Sequence, residues 1–302
     1  MRFNRRSFIR AATAAPLLAT PGGAALAQAD DGTAMSTPGP EQVRLSQSVI
    51  PKNRILSYYG FPGNELMGIL GAYDKDTLLK KLKAQAKEYA AVDSTRPMRL
   101  AYEVIASVAQ RDPQEDGSYL TYTDDSIIQD YVDYTRKKDL LLILDVQYGR
   151  KSTKDELDAM EKWLKHEHVH VALDPEFAVK EGQVPGEDLG TIDAADVTYA
   201  QNRLADFAQS EGIPPKILVV HQFNYYSISN KEKIGPVDGV DFVLEVDGWG
   251  PPEDKLATYG VIAGPPLIEY YGFKLWYDQD VPLMTPEQVL ALNPSPDVII
   301  YQ

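Results

Sequence analysis

The sequence contains no cysteine, which excludes disulfides, thiolate nucleophiles, iron–sulfur clusters and cysteine-type zinc sites. Basic residues are in deficit, because 30 Lys and Arg stand against 44 Asp and Glu and give a formal net charge of −14. Nucleic acids and anionic membranes both select basic surfaces. No run reaches the roughly 18 apolar residues that a membrane helix needs. We therefore predict that the protein binds no nucleic acid and does not insert into a membrane.

The first 29 residues resemble an export signal that is later removed. Arg5 and Arg6 precede Phe8 and a short, weakly apolar stretch, and small residues follow at suitable cleavage positions. This order resembles the twin-arginine signal of bacteria, which implies the twin-arginine export machinery as a partner. The alternative is an ordinary secretory signal that carries two arginines. Either route predicts an exported protein, periplasmic or extracellular.

Removal of residues 1–29 would take away four arginines and no acid, leaving a net charge of −18. Residues 30–53 are rich in Asp, Gly, Ser, Thr and Pro and are predicted to be a lead-in or linker. The remaining residues, 54–302, have the dense apolar pattern of one folded domain.

Eight short apolar runs punctuate residues 54–302, and most are apolar almost throughout, as parallel strands buried on both faces are. The segments between them have helical spacing of apolar residues. Two of these segments also begin with the residue pair of a helix capping box, Thr153 with Glu156 and Thr285 with Gln288. The predicted strands are 54–59, 98–105, 140–146, 169–176, 216–221, 241–246, 272–277 and 297–301.

Strand and helix alternating eight times in about 250 residues is typical of the α/β class and predicts a single (β/α)8 TIM barrel. The sequence ends directly after the eighth strand, so the last helix of the ideal barrel is missing, and the lead-in is a candidate to cover that gap. The alternative is an open, doubly wound sheet. No strand is followed by the glycine-rich turn G-x-G-x-x-G that many such sheets carry.

Polar and aromatic side chains follow the predicted strands at their carboxyl ends, where barrels of this kind hold their active sites. The long connections after the second and fourth strands lie on the same side and fit a substrate groove. Aromatic rings in this position are typical of sugar stacking, and interior packing is the alternative. The predicted site residues are Tyr58, Tyr59, Glu103, Asp145, Gln147, Asp174, Glu176, His221, Gln222, Glu245, Asp247, Trp276, Asp278 and Tyr301.

The sharpest local feature is Asp174-Pro175-Glu176 at the end of the fourth predicted strand. Strand alternation predicts that the two carboxyl groups share one face. Two carboxylates held close cannot both ionise easily, so one pKa rises, as a proton donor requires. The alternatives for this pair are a bond to loop backbone or a metal site.

Three of the four histidines, His166, His168 and His170, lie together where the fourth strand begins. That position is the opposite end of the barrel from the predicted site, so we predict no metal there. His221 follows the fifth strand and lies on the predicted rim, either as a hydrogen-bonded structural residue or as part of the site.

A secreted barrel with Asp-x-Glu after its fourth strand resembles glycoside hydrolase families 18 and 25, the chitinase-like and lysozyme-like barrels. Family 18 has Asp-x-x-Asp-x-Asp-x-Glu, but this chain has Val169 and Ala172 in place of the first two acids. Family 25 shares the pair Asp174 and Glu176, although its acid after the first strand is replaced here by Tyr58-Tyr59-Gly60. The resemblance implies a barrel that cleaves glycosidic bonds.

The sequence thus predicts a cofactor-free and metal-free glycosidase acting on an extracellular or cell-envelope polysaccharide or oligosaccharide. Glu176 would be the general acid and Asp174 would tune it. Asp145, Glu245 and Asp247 would supply the opposing carboxylate, and the remaining predicted site residues would hold the sugar. Two alternatives stay open: a non-catalytic carbohydrate-binding barrel, and a metal-dependent hydrolase that uses His221.

Overall fold

Eight parallel strands pair side by side in a closed ring, because the last strand of the chain pairs with the first. The computed structural model describes residues 47–50, 52–265 and 268–302. The strands are β1 (Arg54–Gly60), β2 (Met98–Ala109), β3 (Leu120–Tyr122), β4 (Leu141–Val146), β5 (Val169–Leu173), β6 (Ile192–Asp193), β7 (Lys216–Gln222), β8 (Ile228–Ser229), β9 (Val240–Val246), β10 (Tyr270–Leu275) and β11 (Val298–Tyr301). The ring runs β1-β2-β4-β5-β7-β9-β10-β11 and back to β1.

This ring confirms the predicted (β/α)8 barrel and rules out the open sheet, whose first and last strands would not pair. Each of the eight predicted apolar runs overlaps one barrel strand, and the seventh was placed two residues too late. The fourth run was predicted too long, because β5 ends at Leu173 and the chain then enters a 3-10 turn, Pro175–Phe177.

Helices separate most of the barrel strands and pack on the outside of the ring. Two 3-10 turns, Tyr225–Ser227 and Lys231–Lys233, replace the helix after β7. No helix of the described residues is long and apolar enough to cross a bilayer. The helices are α1 (Lys75–Val92), α2 (Asp125–Lys138), α3 (Thr153–Leu164), α4 (Ala194–Glu211), α5 (Pro252–Ile262) and α6 (Pro286–Leu290).

The start of α3 differs by one residue from the sequence prediction. Ser152 and Asp155 form the capping box there, so Thr153 is already helical. Glu156 is instead fully buried and accepts hydrogen bonds from Ser107 Oγ at 2.7 Å and Tyr122 OH at 2.8 Å. At the start of α6 the predicted box of Thr285 and Gln288 is present.

The core has two layers, which explains why the strands are apolar on both faces. The outer layer lies between strands and helices, and the inner layer fills the barrel. Alternation along each strand sends neighbouring residues to different layers. The inner layer comprises Ile50, Ile55, Tyr59, Ala101, Ile105, Leu141, Ile143, Ala172, Ile217, Val219, Val243, Val298 and Ile300.

The end of the lead-in closes the bottom of the barrel. Ile50 is fully buried in the inner layer, and Ser48 Oγ donates to Asp241 Oδ1 at 3.0 Å. The expectation that the lead-in covers a gap after the last strand stays a prediction, because most of the lead-in lies outside the described residues; α1 and α6 contact each other directly. The predicted signal, residues 1–29, and the lead-in up to residue 46 lie outside the described residues.

Short strands organise the connections at the carboxyl ends of the barrel strands. β3 pairs antiparallel with β2. β6, in the connection after β5, pairs with β8, in the connection after β7. Two neighbouring rim loops are thereby tied to each other through backbone hydrogen bonds.

Gly272 in β10 is predicted to tolerate no side chain. A Cβ built there would lie 2.7 Å from Cγ and 2.9 Å from Cβ of Glu245 on the neighbouring strand. We expect Gly272→Ala to lower the free energy of unfolding by about 1–3 kcal/mol, as overpacking of a core does. Urea unfolding measures this change.

Gly260→Ala in α5 is the matched control, because a Cβ there meets no atom within 4 Å. Alanine is the better helix former, so this control should be neutral or stabilising by up to about 1 kcal/mol. Equal unfolding free energies for the two variants would show that β10 and β9 part easily at this point.

Candidate active site

The top of the barrel interior is polar, although the layer beneath it is apolar. Asp145 lies two residues after Ile143, His221 two after Val219, and Glu245 two after Val243, so each polar side chain stands directly above an inner-layer residue. The inward polar residues at this level, all at most 6% exposed, are Glu103, Asp145, Asp174, His221, Glu245, Asp247 and Lys274.

His221 lies between two carboxylates at the centre of this layer. Its Nδ1 donates to Glu245 Oε2 at 2.6 Å, and its Nε2 donates to Glu103 Oε1 at 2.9 Å. Burial and the Lys274 charge lower the pKa of His221, but the two carboxylate hydrogen bonds outweigh them and raise it well above its ordinary value. His221 is therefore an imidazolium with both ring nitrogens engaged.

Lys274 pairs with Asp247 and holds it ionised. Its Nζ lies 3.0 Å from Asp247 Oδ2 and 3.8 Å from the centre of the Tyr59 ring. Oδ1 of Asp247 accepts from Trp276 Nε1 at 3.2 Å and from the Gly248 amide at 2.7 Å. Burial raises the pKa of Asp247, yet the charges of Lys274 and His221 bring it below its ordinary value.

Asp174 and Glu176 differ from Asp247, because their surroundings raise the pKa of each carboxyl group. Burial, followed by the charge of Asp145, raises the pKa of Asp174 to about 7. Burial, followed by the charges of Asp174 and Asp247, raises the pKa of Glu176 to about 8. Glu176 is the only one of these acids with a partly exposed side chain, so a protonated carboxyl group meets solvent at the rim.

The predicted reason for the pairing of Asp174 and Glu176 was wrong. Strand alternation cannot relate them, because β5 ends at Leu173 and Glu176 lies within the 3-10 turn Pro175–Phe177. The turn nevertheless keeps them close enough for the charge of Asp174 to raise the pKa of Glu176. The Gly190 amide donates to the Glu176 carbonyl at 2.6 Å and fixes the turn to the following loop.

Asp145, Glu245 and Glu103 act on other side chains, because none of the three is exposed to any measurable extent. Asp145 accepts a hydrogen bond from Tyr59 OH at 2.8 Å. Burial raises the pKa of Asp145 to about 6 and also raises that of Glu245. Asp145 and Glu245 were predicted to face the reacting bond, but a substrate cannot reach them.

A surface of aromatic rings begins at the site and extends outward. Trp276, which binds Asp247, has its ring centre 5.5 Å from that of Trp249, and Trp249 lies 5.3 Å from Phe223. Trp249 is 52% exposed, and Tyr226 on the next loop is 79% exposed. Flat rings with polar edges beside carboxyl groups suit the C–H faces and hydroxyls of a sugar.

Five predicted site residues lie away from this cluster. Tyr58 and Tyr301 face the helices, where Tyr58 OH accepts from Tyr277 OH at 3.4 Å and Tyr301 OH bonds Tyr89 OH at 2.7 Å. The Oε1 atom of Gln147 accepts a hydrogen bond from the Ala109 amide. The Nε2 atom of Gln222 donates to the backbone carbonyls of Asn224 and Tyr225. Asp278 is exposed on the turn after β10.

Lys274 is the site residue that sequence reasoning missed. The signal was present in its spacing, since Gly272, Lys274 and Trp276 alternate along one strand and Trp276 had been assigned to the rim. A lysine inside an apolar strand is rarely buried without a paired charge. That rule could have identified Lys274 as the partner of a rim carboxylate.

Among the described residues, two groups of three side chains have the spacing of metal ligands, with their ligand atoms within 4.8 Å of one another. They are Glu103, Asp145 and His221, and His221, Glu245 and Asp247. Both groups include His221, and each of its ring nitrogens lies within hydrogen-bond distance of a carboxylate in this structure. A metal ion at either group would take the place of one of these hydrogen bonds.

The histidine tract lies at the bottom of the barrel, as predicted. His170 Nδ1 accepts from the Ile217 amide at 3.1 Å, and His168 Nε2 donates to the Val132 carbonyl at 3.1 Å. Both are bound to backbone at the amino ends of strands, on the far side of the inner layer from His221.

Neither protein-family models nor curated proteins gave a match to this chain. Among solved structures it is similar to the mannanase BCman of Bacillus subtilis, with a TM-score of 0.42 and 11% identity, covering 86% of this chain and 83% of that one. It is also similar to the YdhT protein of Bacillus subtilis, with a TM-score of 0.44 and 12% identity, covering 87% and 84%. These are distant likenesses, and the barrel assignment rests on the strand pairing itself.

Asp174 and Glu176 are predicted to make a contribution to the free energy of unfolding that falls as the pH rises from about 4 to about 8. Asp174 and Glu176 ionise near pH 4 in an unfolded chain, but their raised pKa values keep them protonated in the fold, so unfolding releases protons. The raised pKa of His221 acts in the same direction, because its contribution is lost as the pH rises through the folded value. Urea unfolding across this range measures the slope.

Glu176→Gln should make that slope shallower by the contribution of about one proton. Glu181→Gln, an exposed residue of the same loop, should leave the slope unchanged. An unaltered slope in Glu176→Gln would mean that Glu176 is ionised in the folded protein at neutral pH.

Proposed function

We propose that this protein is an exported glycoside hydrolase that cleaves a glycosidic bond in an extracellular or cell-envelope polysaccharide. The observation that carries the proposal is a pair of neighbouring carboxyl groups whose pKa values are moved apart, upward for Glu176 and downward for Asp247. Acid and base roles in one site are assigned by such a divergence. The adjoining aromatic surface supplies a place for the sugar.

In this mechanism Glu176 is the general acid. Its proton passes to the glycosidic oxygen while the bond from that oxygen to the anomeric carbon breaks. Asp247, ionised and fixed by Lys274, Trp276 and the Gly248 amide, faces the positive charge that develops on the sugar. Water then adds its hydroxyl group to the anomeric carbon, and its remaining proton passes to the Glu176 carboxylate, which restores the acid.

Asp174 and the buried network support these two groups. The negative charge that Asp174 would carry raises the pKa of Glu176, and the cations His221 and Lys274 offset the carboxyls beneath. The order of strands and helices and the motif Asp174-x-Glu176 resemble those of the family 18 and 25 glycosidases. This resemblance supports the role of Glu176 as the general acid. The export part of the proposal rests on Arg5 and Arg6, which lie outside the described residues.

Glu176→Gln is expected to lower kcat by about 10²–10⁴-fold, because the amide keeps the shape of the side chain but has no acidic proton. The assay is release of reducing ends from a panel of bacterial and plant polysaccharides by the purified protein. Glu181→Gln is the control and should keep full activity.

An unchanged rate in Glu176→Gln would remove Glu176 as the acid. Binding of a polysaccharide without release of reducing ends by the wild type would favour the carbohydrate-binding alternative. Activity lost on addition of a strong chelator and restored by a metal ion would favour the metal-dependent alternative.

Lys274→Met is expected to move the acidic limb of the kcat/KM profile to higher pH by about 1–3 units. The ammonium group lies 3.0 Å from Asp247 Oδ2, and loss of an opposite charge at this range raises the pKa of a carboxyl group by that amount. The basic limb, set by Glu176, should move much less. A profile measured from about pH 4 to about pH 9 resolves the two limbs.

Lys274→Arg is the matched variant, since it keeps the charge and should retain most of the wild-type profile. If the acidic limb stays in place in Lys274→Met while only the maximal rate falls, Lys274 has a packing role and does not set the ionisation of Asp247.

A further inference from the structure

A cavity of about 510 Å³ adjoins the aromatic surface on the other side of Trp276. The loop that follows β1 forms one wall, and the turn that follows β10 forms the other. Its volume falls within the range of small-molecule sites in proteins. The lining residues that matter here are Leu66, Tyr73, Lys81, Trp276, Tyr277 and Gln302.

The wall formed by the loop after β1 is fixed to the barrel by two glycines. Gly68 has φ +109°, and a Cβ there would lie 2.6 Å from the Tyr59 carbonyl oxygen. Gly60 has φ +151°, and a Cβ there would lie 2.8 Å from the Met67 carbonyl oxygen. Only glycine permits so close an approach of the two backbones, so the loop is held on the rim and the cavity is already formed.

The lining of the cavity combines aromatic faces with hydrogen-bonding groups. Tyr73 is 46% exposed and Tyr277 is 37% exposed, and Lys81 Nζ lies 4.6 Å from the centre of the Tyr73 ring. Gln302 and Lys81, which also line the cavity, carry amide and ammonium groups that can bond sugar hydroxyls, and the rings suit the apolar face of a sugar.

Trp276 joins this cavity to the carboxyl groups. Its side chain lines the cavity, its Nε1 donates to Asp247 Oδ1, and its ring meets that of Trp249 edge to face. A chain of sugars that lies in the cavity and crosses Trp276 therefore comes next to Asp247.

We propose that this cavity is a further sugar-binding subsite, which holds a unit of the same polysaccharide chain next to the units at Asp247 and Glu176. The inference rests on the proposed function and extends it, because subsites on both sides of Trp276 select an extended chain over a single terminal sugar. Short oligosaccharides, which cannot span both places, should bind weakly.

The test measures binding by calorimetry, so that it does not depend on turnover. The probes are the hexaoses and bioses of the cello, manno, xylo and chito series, and the protein is the full mature chain carrying Glu176→Gln. The tightest-binding hexaose should bind at least about tenfold more tightly than its biose. Adding Tyr73→Ala should lower the affinity for the hexaose by about tenfold and leave the affinity for the biose unchanged.

Tyr199→Ala in α4 is the control, because Tyr199 is 38% exposed but lies on an outer helix. Equal affinity for hexaose and biose, or no effect of Tyr73→Ala, overturns the subsite even where the wild type hydrolyses polysaccharide. Hexaose binding that depends on Tyr73 in a protein without hydrolysis supports the subsite and overturns the proposed catalysis. No binding of any probe overturns both.

Discussion

The burial of charge at the top of the barrel is the constraint on which the rest of the site depends. Six carboxyl groups gather there, and two cations, His221 and Lys274, lie among them. An unpaired carboxylate is costly in such a place, so groups without a cation take up protons instead. The charges of Lys274 and His221 bring the pKa of Asp247 below its ordinary value, whereas burial and neighbouring carboxylates raise that of Asp174 to about 7 and that of Glu176 to about 8.

The packing of the barrel interior affects which of these carboxyl groups are ionised. Small and branched side chains fill the barrel up to the level of Ile143 and Val243, so water cannot relieve the charges from below. Gly272 leaves room for Glu245 to turn toward His221. The apolar layer thus keeps the charged groups at the top of the barrel, and the missing side chain of Gly272 lets Glu245 reach His221.

The barrel could be predicted from the sequence because parallel strands buried on both faces leave long apolar runs. The same property hid the orientation of each strand, since an apolar run does not show which residues face inward. Tyr58 and Tyr301 were assigned to the rim for that reason, whereas their inward neighbours are Tyr59 and Gln302. The acids Asp174, Glu176 and Asp247 were found because charge returns where a strand ends.

Other parts of the site could not be predicted, because they depend on contacts between distant segments. The charges of Asp174 and Asp247 act together on Glu176, although one follows β5 and the other follows β9. The cavity beside Trp276 depends on two glycines whose role is visible only when the backbones of β1 and its loop are in contact. The positions of these residues along the chain indicate neither the pKa shift of Glu176 nor the presence of the cavity.

The short ladder of β6 and β8 has a mechanical consequence. The loop that carries Glu176 leads into β6, and the turn that carries Tyr226 leads into β8, so the two are joined by the backbone pairing of Ile192 with Ile228. The exposed aromatic turn and the turn of the acid are therefore anchored to the same short ladder. The outer edge of the rim and the proton donor share one backbone support, which restricts how far their two connections can separate.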